Sequence, residues 1–190
     1  MIQSVYRFLH NLEVVRNVSP HTLRNYRLDL TAFKAYLGKN PSLTAIDKKV
    51  IRAYLTHLNY KGVSKRTIVR HLSSLRSFFK YLLKEKTLKE NPMEEIESPK
   101  LDKPLPTSLS YDQVEHLFNL PDATTLLGFR DRAIMELFYS SGLRISELTL
   151  LDREDCDFQS FSIKVKGKGE KERMIPITKS AAKWIKNYLK

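Results

Sequence analysis

Tyr139-Ser-Ser-Gly-Leu-Arg-Ile-Ser-Glu-Leu148 and, one short segment later, Val165-Lys-Gly-Lys-Gly-Glu-Lys-Glu-Arg173 decide how this chain is read. Glycine tolerates the left-handed conformation that closes a helix, so Ser141-Gly142 predicts a helix end. A second helix is predicted from near Ile145, with Leu148 and Leu151 as its apolar stripe. Arg144 then stands in the corner between two helices, near the positive end of the second. Glu147, three residues on, can reach back to the guanidinium and fix its direction. A guanidinium there suits a phosphate, through paired charged hydrogen bonds and exposed backbone N–H groups.

The second stretch reads as a β-hairpin. Phe161, Ile163 and Val165 alternate with Ser162, Lys164 and Lys166, which is strand spacing. Gly167-Lys168-Gly169 turns the chain, and Met174, Ile175 and Ile177 return it, with Pro176 confining that strand to an edge. A lysine between two glycines at a hairpin tip is free to swing into another surface. Lys168 is thus the candidate to meet whatever Arg144 holds.

Charge separates the two halves. The 190 residues carry 33 Lys and Arg against 21 Asp and Glu, a net +12. Residues 1–90 hold 18 basic and five acidic side chains, net +13, which leaves the remainder at −1. So divided an excess points to a polyanion partner for the first half, and a merely solubilising surface would be more evenly mixed. A membrane surface fits less well, because the basic helices carry Ser and Thr and no broad apolar face. The start of the chain lacks the order of a secretory signal, and no apolar run could span a bilayer. With a single cysteine, Cys156, no intramolecular disulfide is possible, and a cytoplasmic setting is expected. The five histidines show no metal-ligand spacing, and Gly167-Lys168-Gly169 lacks the spacing of a nucleotide-binding loop, so no metal and no cofactor are expected.

Periodicity predicts four amphipathic helices in residues 1–90. The first covers 2–16. Ser19 caps the second with Pro20 at its first position, and Gly38 ends it. Thr44 with Asp47 predicts a capping box for the third, and Gly62 closes it. Ser64 caps the fourth, which runs to about Glu85 with Ile68, Leu72, Leu75, Phe79 and Leu82 inward. Its other side carries Thr67, Arg70, Ser74 and Ser77, flanked by Lys65, Arg66, Arg76 and Lys80. Small hydroxyl residues let a backbone approach phosphates closely while the basic ones supply charge. As a set they predict a DNA-contacting face, although each alone reads as an ordinary solvated residue.

Residues 91–108, with Pro92, Pro99, Pro104 and Pro106 amid charges, predict an unpacked interdomain linker. Beyond it, residues 109–190 form a second domain. Ser110 and Gln113 predict a capping box. A longer helix follows from about Thr125 to Ser140, burying Leu127, Ile134, Leu137 and Phe138, with Arg130, Asp131 and Arg132 in surface ion pairs. The final helix, from Ser180 with Ala182, Ile185 and Leu189 inward, is expected to lack a cap and a packing partner, as a truncation would. Most tyrosines fall on apolar stripes and are expected in the core.

The two quoted stretches together resemble the tyrosine recombinases, in particular the Xer type that resolves chromosome dimers. That family has an arginine in Gly-Leu-Arg-x-Ser-Glu-Leu and a lysine in a Gly-Lys-Gly-x-Lys-x-Arg hairpin, roles that the resemblance carries onto Arg144 and Lys168. It implies a mainly α chain: a four-helix core-binding (SAM-like) domain and the first part of a mixed α/β catalytic domain with a β-hairpin or small antiparallel sheet. It implies that the Ser19-Pro20-His21-Thr22 helix start faces DNA, adding Ser19, His21 and Thr22 to the contact set. It also implies cleavage and rejoining of double-stranded DNA at a recombination site through a phosphotyrosyl link. The partners would be a second Xer-type recombinase or identical subunits in a tetramer. The family's C-terminal His-x-x-Arg, its later His or Trp and its nucleophilic tyrosine would lie beyond Lys190, so the 190 residues alone are expected not to cleave. Alternatives are a non-catalytic DNA-binding fragment that occupies recombination sites, a phage or transposon integrase, and an unrelated helical regulator using the first domain only.

Overall fold

The computed structural model describes residues 1–39, 41–102, 105, 107–167 and 171–190. It divides into two compact units, Met1–Pro104 and Leu105–Lys190. Lys168, Gly169 and Glu170, the tip of the predicted hairpin, lie outside the described residues.

The first unit is helical. α1 (Ile2–His10) continues into a π-helical turn, Asn11–Val15. α2 (Pro20–Leu37) starts where Ser19 accepts the Thr22 N–H, with Pro20 at the first position, and stops at Gly38 with φ of 83°. α3 (Lys48–Tyr60) is capped by Asp47 through the Val50 N–H. Thr44 takes no part in that cap: it lies in a separate 3-10 turn, Leu43–Ala45, so the expected Thr44–Asp47 box does not form. α4 (Lys65–Lys84) is capped by Ser64. Its inward stripe is wider than predicted, because Phe78, His71 and Ser74 are buried beside the five expected residues. Phe8, Phe33 and Tyr54 from the other helices belong to the same core.

The predicted linker is partly packed. Met93 and Ile96 are buried in this core, and Arg76 donates to the Ile96 carbonyl (2.5 Å) and the Ser98 hydroxyl (2.8 Å). Met93 and Ile96, three residues apart among Glu94, Glu95 and Glu97, supply the apolar surface that seats this stretch on the core.

α2 and α4 run parallel. The Arg70 guanidinium reaches the Asn25 carbonyl at 3.5 Å and the Ser74 hydroxyl reaches Asp29 at 2.7 Å, each across 45 residues of sequence. A constant offset of one sign is the signature of parallel neighbours. Between the two helices lies a buried polar cluster. Asp29 Oδ1 faces Arg70 Nη1 at 2.5 Å and His71 Nε2 at 3.3 Å as charge contacts without hydrogen-bond geometry. The far side of the ring, His71 Nδ1, meets the Tyr54 hydroxyl at 3.1 Å. Burial lowers the His71 pKa below its ordinary 6.5, the Arg70 charge adds to this, and Asp29 opposes both.

That shift predicts acid lability. The unfolded imidazole takes up a proton near pH 6.5 and the folded one resists until lower pH. Stability from this group is therefore full above pH 6.5 and declines as the pH falls from there through the folded value. The melting temperature of the chain should drop between pH 7.5 and pH 5.5, and His71→Gln should flatten that slope. A slope unchanged by the substitution would assign the acid sensitivity elsewhere.

The second unit is mixed. α5 (Tyr111–Phe118) opens with the predicted capping box, Ser110 Oγ accepting from Gln113 and the Gln113 side chain accepting from the Ser110 N–H. α6 (Leu126–Ser141) is capped by Thr125, and Gly142 closes it in the left-handed region at φ 62°. α7 (Ile145–Leu148) is a single turn. Three antiparallel strands follow: β1 (Cys156–Asp157), β2 (Ser162–Lys166) and β3 (Glu172–Pro176), in that order across the sheet. β1 adds a strand to the predicted hairpin. α8 (Lys179–Tyr188) closes the unit.

Ile163 and Val165 on β2 pack with Leu137, Leu143, Ala181, Ala182 and Ile185. α8 thus has a partner, contrary to expectation: Ala181 and Ala182 are small enough to let it lie against α6, and the Trp184 ring meets Phe129 at a tilt, centroids 4.8 Å apart. Arg132 is no surface residue either. Its guanidinium sits 4.7 Å over the Phe118 ring and 5.1 Å over Trp184, pairs with buried Glu136 at 2.8 Å and donates to the Phe118 carbonyl. One side chain so ties α5, α6 and α8 together, using aromatic faces that periodicity does not reveal. Leu127, expected inside, is exposed in the first turn of α6. Tyrosines are mostly not core: Tyr6, Tyr60, Tyr111, Tyr139 and Tyr188 are exposed, while Tyr54 is buried.

Candidate functional site

Arg144 is built into the corner that the sequence predicts. Gly142 reverses the chain after α6, Leu143 is buried as an anchor, and Arg144 takes an extended backbone as the residue before α7. With Leu143 buried behind it, the Arg144 guanidinium projects outward and the side chain is 74% exposed. α7 is too short to contribute much of a dipole, so the electrostatic pull at this corner comes from the arginine itself.

Glu147 holds that guanidinium. It is buried, with Arg144 Nη1 donating to Oε1 at 2.9 Å and the Arg144 backbone N–H donating to Oε2 at 3.0 Å. A second arginine, Arg173, meets the same carboxylate from β3, Nη1 on Oε1 and Nη2 on Oε2, both at 3.0 Å. The two Arg173 donors, followed by the Arg144 N–H, hold the Glu147 pKa down at about 2. The carboxylate is accordingly ionised throughout the physiological range. The cluster of two arginines and one carboxylate carries one net positive charge on a partly open surface, an arrangement suited to an anionic oxygen. Glu147 was foreseen in this role. Arg173 was not, although its place across the sheet from Val165 puts it beside the turn.

Lys168 lies outside the described residues; its flanking strands β2 and β3 are in register from Ser162↔Pro176 to Lys166↔Glu172. Among the described residues no three His, Cys, Asp or Glu converge in a way that could hold a metal ion.

In the first unit the predicted contact residues divide. Ser19 and Ser64, 45 residues apart like the Asn25–Arg70 pair, cap α2 and α4 at the same end. Each also bonds the hydroxyl three residues on, Ser19 to Thr22 at 2.9 Å and Ser64 to Thr67 at 3.0 Å. Two parallel helices so present their N–H-rich ends in the same direction, with exposed His21, Lys65 and Arg66 on those ends. Arg70 is half-buried and steered by Asp29, Ser77 is half-buried, and Lys80 is exposed farther along α4.

Ser74 does not belong to that face. It is 1% exposed and donates to Asp29, because a small hydroxyl fits the tight α2–α4 contact. Arg76 turns instead to Ile96 and Ser98. Arg24 and Asn25, one turn on from His21, are exposed on the same stretch of α2 and were not singled out from the sequence. The equal spacing of Ser-x-x-Thr at 19–22 and 64–67 was the signal that could have found them.

Comparison with known proteins follows the same division. Residues 5–86 match the family described as phage integrase, N-terminal SAM-like domain, and residues 107–190 match the phage integrase family. The tyrosine recombinase XerC of Chlamydia muridarum is 44% identical over the whole chain and 66% of its own length. The XerC of Chlamydia caviae is 42% identical over the whole chain and 67% of its length. This chain thus spans about two thirds of the length of the curated relatives it matches. Among solved structures, the Tn1549 transposon integrase in complex with transposon right end DNA aligns over 96% of this chain and 64% of that one, with a TM-score of 0.77 at 20% identity. A lambda integrase dimer bound to a COC' core site aligns over the same shares with a TM-score of 0.74, also at 20% identity.

Proposed function

Because this chain belongs to the tyrosine recombinases of the phage integrase family, we propose that it grips duplex DNA at a recombination site and supplies part of the centre that cuts and rejoins it. The observation that carries this reading is Arg144, exposed yet locked in direction by a buried carboxylate and its neighbouring backbone. In such chemistry a tyrosine hydroxyl attacks a phosphodiester, a phosphotyrosyl link forms, and a 5′-hydroxyl leaves. Attack by another strand's 5′-hydroxyl reverses the step, so the bond energy is kept and neither metal nor nucleotide is needed.

Each residue has a distinct task. Arg144 binds the non-bridging oxygens, where charge gathers as the phosphorus is attacked. Lys168 gives its proton to the departing 5′-oxygen. The helix ends of α2 and α4, with Ser19, His21, Thr22, Lys65, Arg66, Thr67 and Arg70, hold the phosphate backbone in place. Residues 1–90, with Met93 and Ile96 packed onto them, serve as the core-binding part, 91–108 connect the domains and 109–190 serve as the first part of the catalytic domain. The C-terminal His-x-x-Arg and the nucleophilic tyrosine belong to the third of the relatives' length that this chain does not span.

The resemblance to the Xer type favours chromosome-dimer processing at cell division, together with a second recombinase or further copies of the same subunit, and a chain with a single cysteine fits the cytoplasm. A covalent-trapping assay tests the reading. The 190-residue chain should retard duplex DNA on a native gel and leave no detergent-resistant adduct. A form that carries the tyrosine-bearing third as well should leave one. An adduct with the 190 residues alone would place the nucleophile inside them and overturn the assignment; failure to retain DNA at low salt would remove the recombinase reading itself.

A further inference from the structure

Glu147 has more donors than one arginine needs. Its two oxygens accept from Arg144 Nη1, from the Arg144 N–H and from both terminal nitrogens of Arg173, at 2.9 to 3.0 Å. The two-pronged contact belongs to Arg173, while Arg144 gives a single side-chain nitrogen and keeps the rest of its fork exposed. Side-chain exposure agrees, at 41% for Arg173 and 74% for Arg144.

A glycine makes room for this. A Cβ on Gly167 would stand 3.1 Å from Arg173 Nη1, tighter than ordinary packing, and the Gly167 N–H closes the base of the turn on the Lys171 carbonyl at 2.8 Å. Arg173 thus enters from the hairpin that bears Lys168 and ends on the carboxylate that directs Arg144.

Charge balance gives the pair its consequence. With Arg144 alone, Glu147 would form a neutral ion pair, and an incoming phosphate would have to compete with the carboxylate for the guanidinium. With Arg173 answering the carboxylate, one positive charge stays uncompensated, and it resides on the more exposed arginine. We propose that Arg173 is a positioning residue: acting through Glu147, it frees the charge of Arg144 for a phosphate, and Gly167 keeps the space it needs. This rests on the reading of Arg144 as a phosphate ligand.

Inorganic phosphate is the probe, added to the 190-residue chain while the Arg144 Nε–H resonance is followed by NMR. The Glu147 carboxyl carbon is titrated with acid in parallel. In the wild type Arg144 should respond to phosphate and Glu147 should titrate at about 2. Arg173→Gln should weaken the phosphate response about fivefold or more and raise the Glu147 midpoint. Adding Glu147→Gln to Arg173→Gln should restore the response, since no carboxylate remains to compete; an arginine that only held the fold together would give a loss that the second change deepens. Arg173→Lys, keeping the charge without the fork, should retain most of the affinity and guards against a variant that fails to fold. Equal phosphate affinity in wild type and Arg173→Gln overturns this inference and leaves the phosphate-site reading standing. An Arg144 indifferent to phosphate in the wild type overturns both.

Discussion

Arg144→Ala is expected to lower DNA cleavage by about 10²- to 10³-fold in a form of the recombinase that carries the tyrosine, the usual cost of deleting one group that stabilises transition-state charge. DNA binding should change little, because one phosphate contact is a small share of a basic interface. The substitution leaves Glu147 with Arg173 as a bidentate partner, so the corner stays folded and the loss reports chemistry. Lys168→Ala should behave differently. It should slow cleavage where the leaving group is an ordinary 5′-hydroxyl, and less where a sulfur, which departs without a proton, replaces that oxygen. Equal losses on both leaving groups would remove Lys168 as the acid. Loss of DNA binding as large as the loss of cleavage would make Arg144 an anchoring residue instead.

DNA affinity of the 190-residue chain should collapse with salt. If the paired ends of α2 and α4 and their basic surround replace six or more phosphate counterions, affinity falls about 10³-fold or more between 50 and 200 mM monovalent salt. Fluorescence anisotropy on a short labelled duplex measures the slope of log affinity against log salt. Arg66→Ala should reduce that slope by about one, since its side chain is exposed. Arg76→Ala should leave the slope alone, because its donors already serve Ile96 and Ser98. A flat salt response would remove the electrostatic case, and equal slope changes for Arg66 and Arg76 would show that the contact face has been drawn wrongly.

Much of the architecture was legible because it depends on neighbours in sequence. Ser19, Ser64, Ser110 and Gly142 act within three or four residues, through an N–H or a backbone angle, and each does in the structure what its residue type requires. The stripes of α4 and the alternation of β2 are equally local. Arg144 beside Glu147 belongs to this group, since three residues along one turn bring the two together wherever the rest of the chain goes.

What the sequence hid is what depends on partners far along the chain. Ser74 reads as a surface hydroxyl until α2 brings Asp29 against it, and Arg76 reads as a DNA contact until Ile96 and Ser98 fold back to meet it. Arg132 lies between rings from α5 and α8, and no pattern within α6 announces either. Arg173 is the clearest case. By itself it is one more basic residue on an edge strand; the sheet register carries it 26 positions back to Glu147, where its charge changes what Arg144 can do. Caps, turns and stripes are short-range and were determined by the sequence alone. Which charged side chains are engaged inside the protein and which remain exposed was decided only by tertiary structure, because an ion pair depends on distance in space and not on separation along the chain.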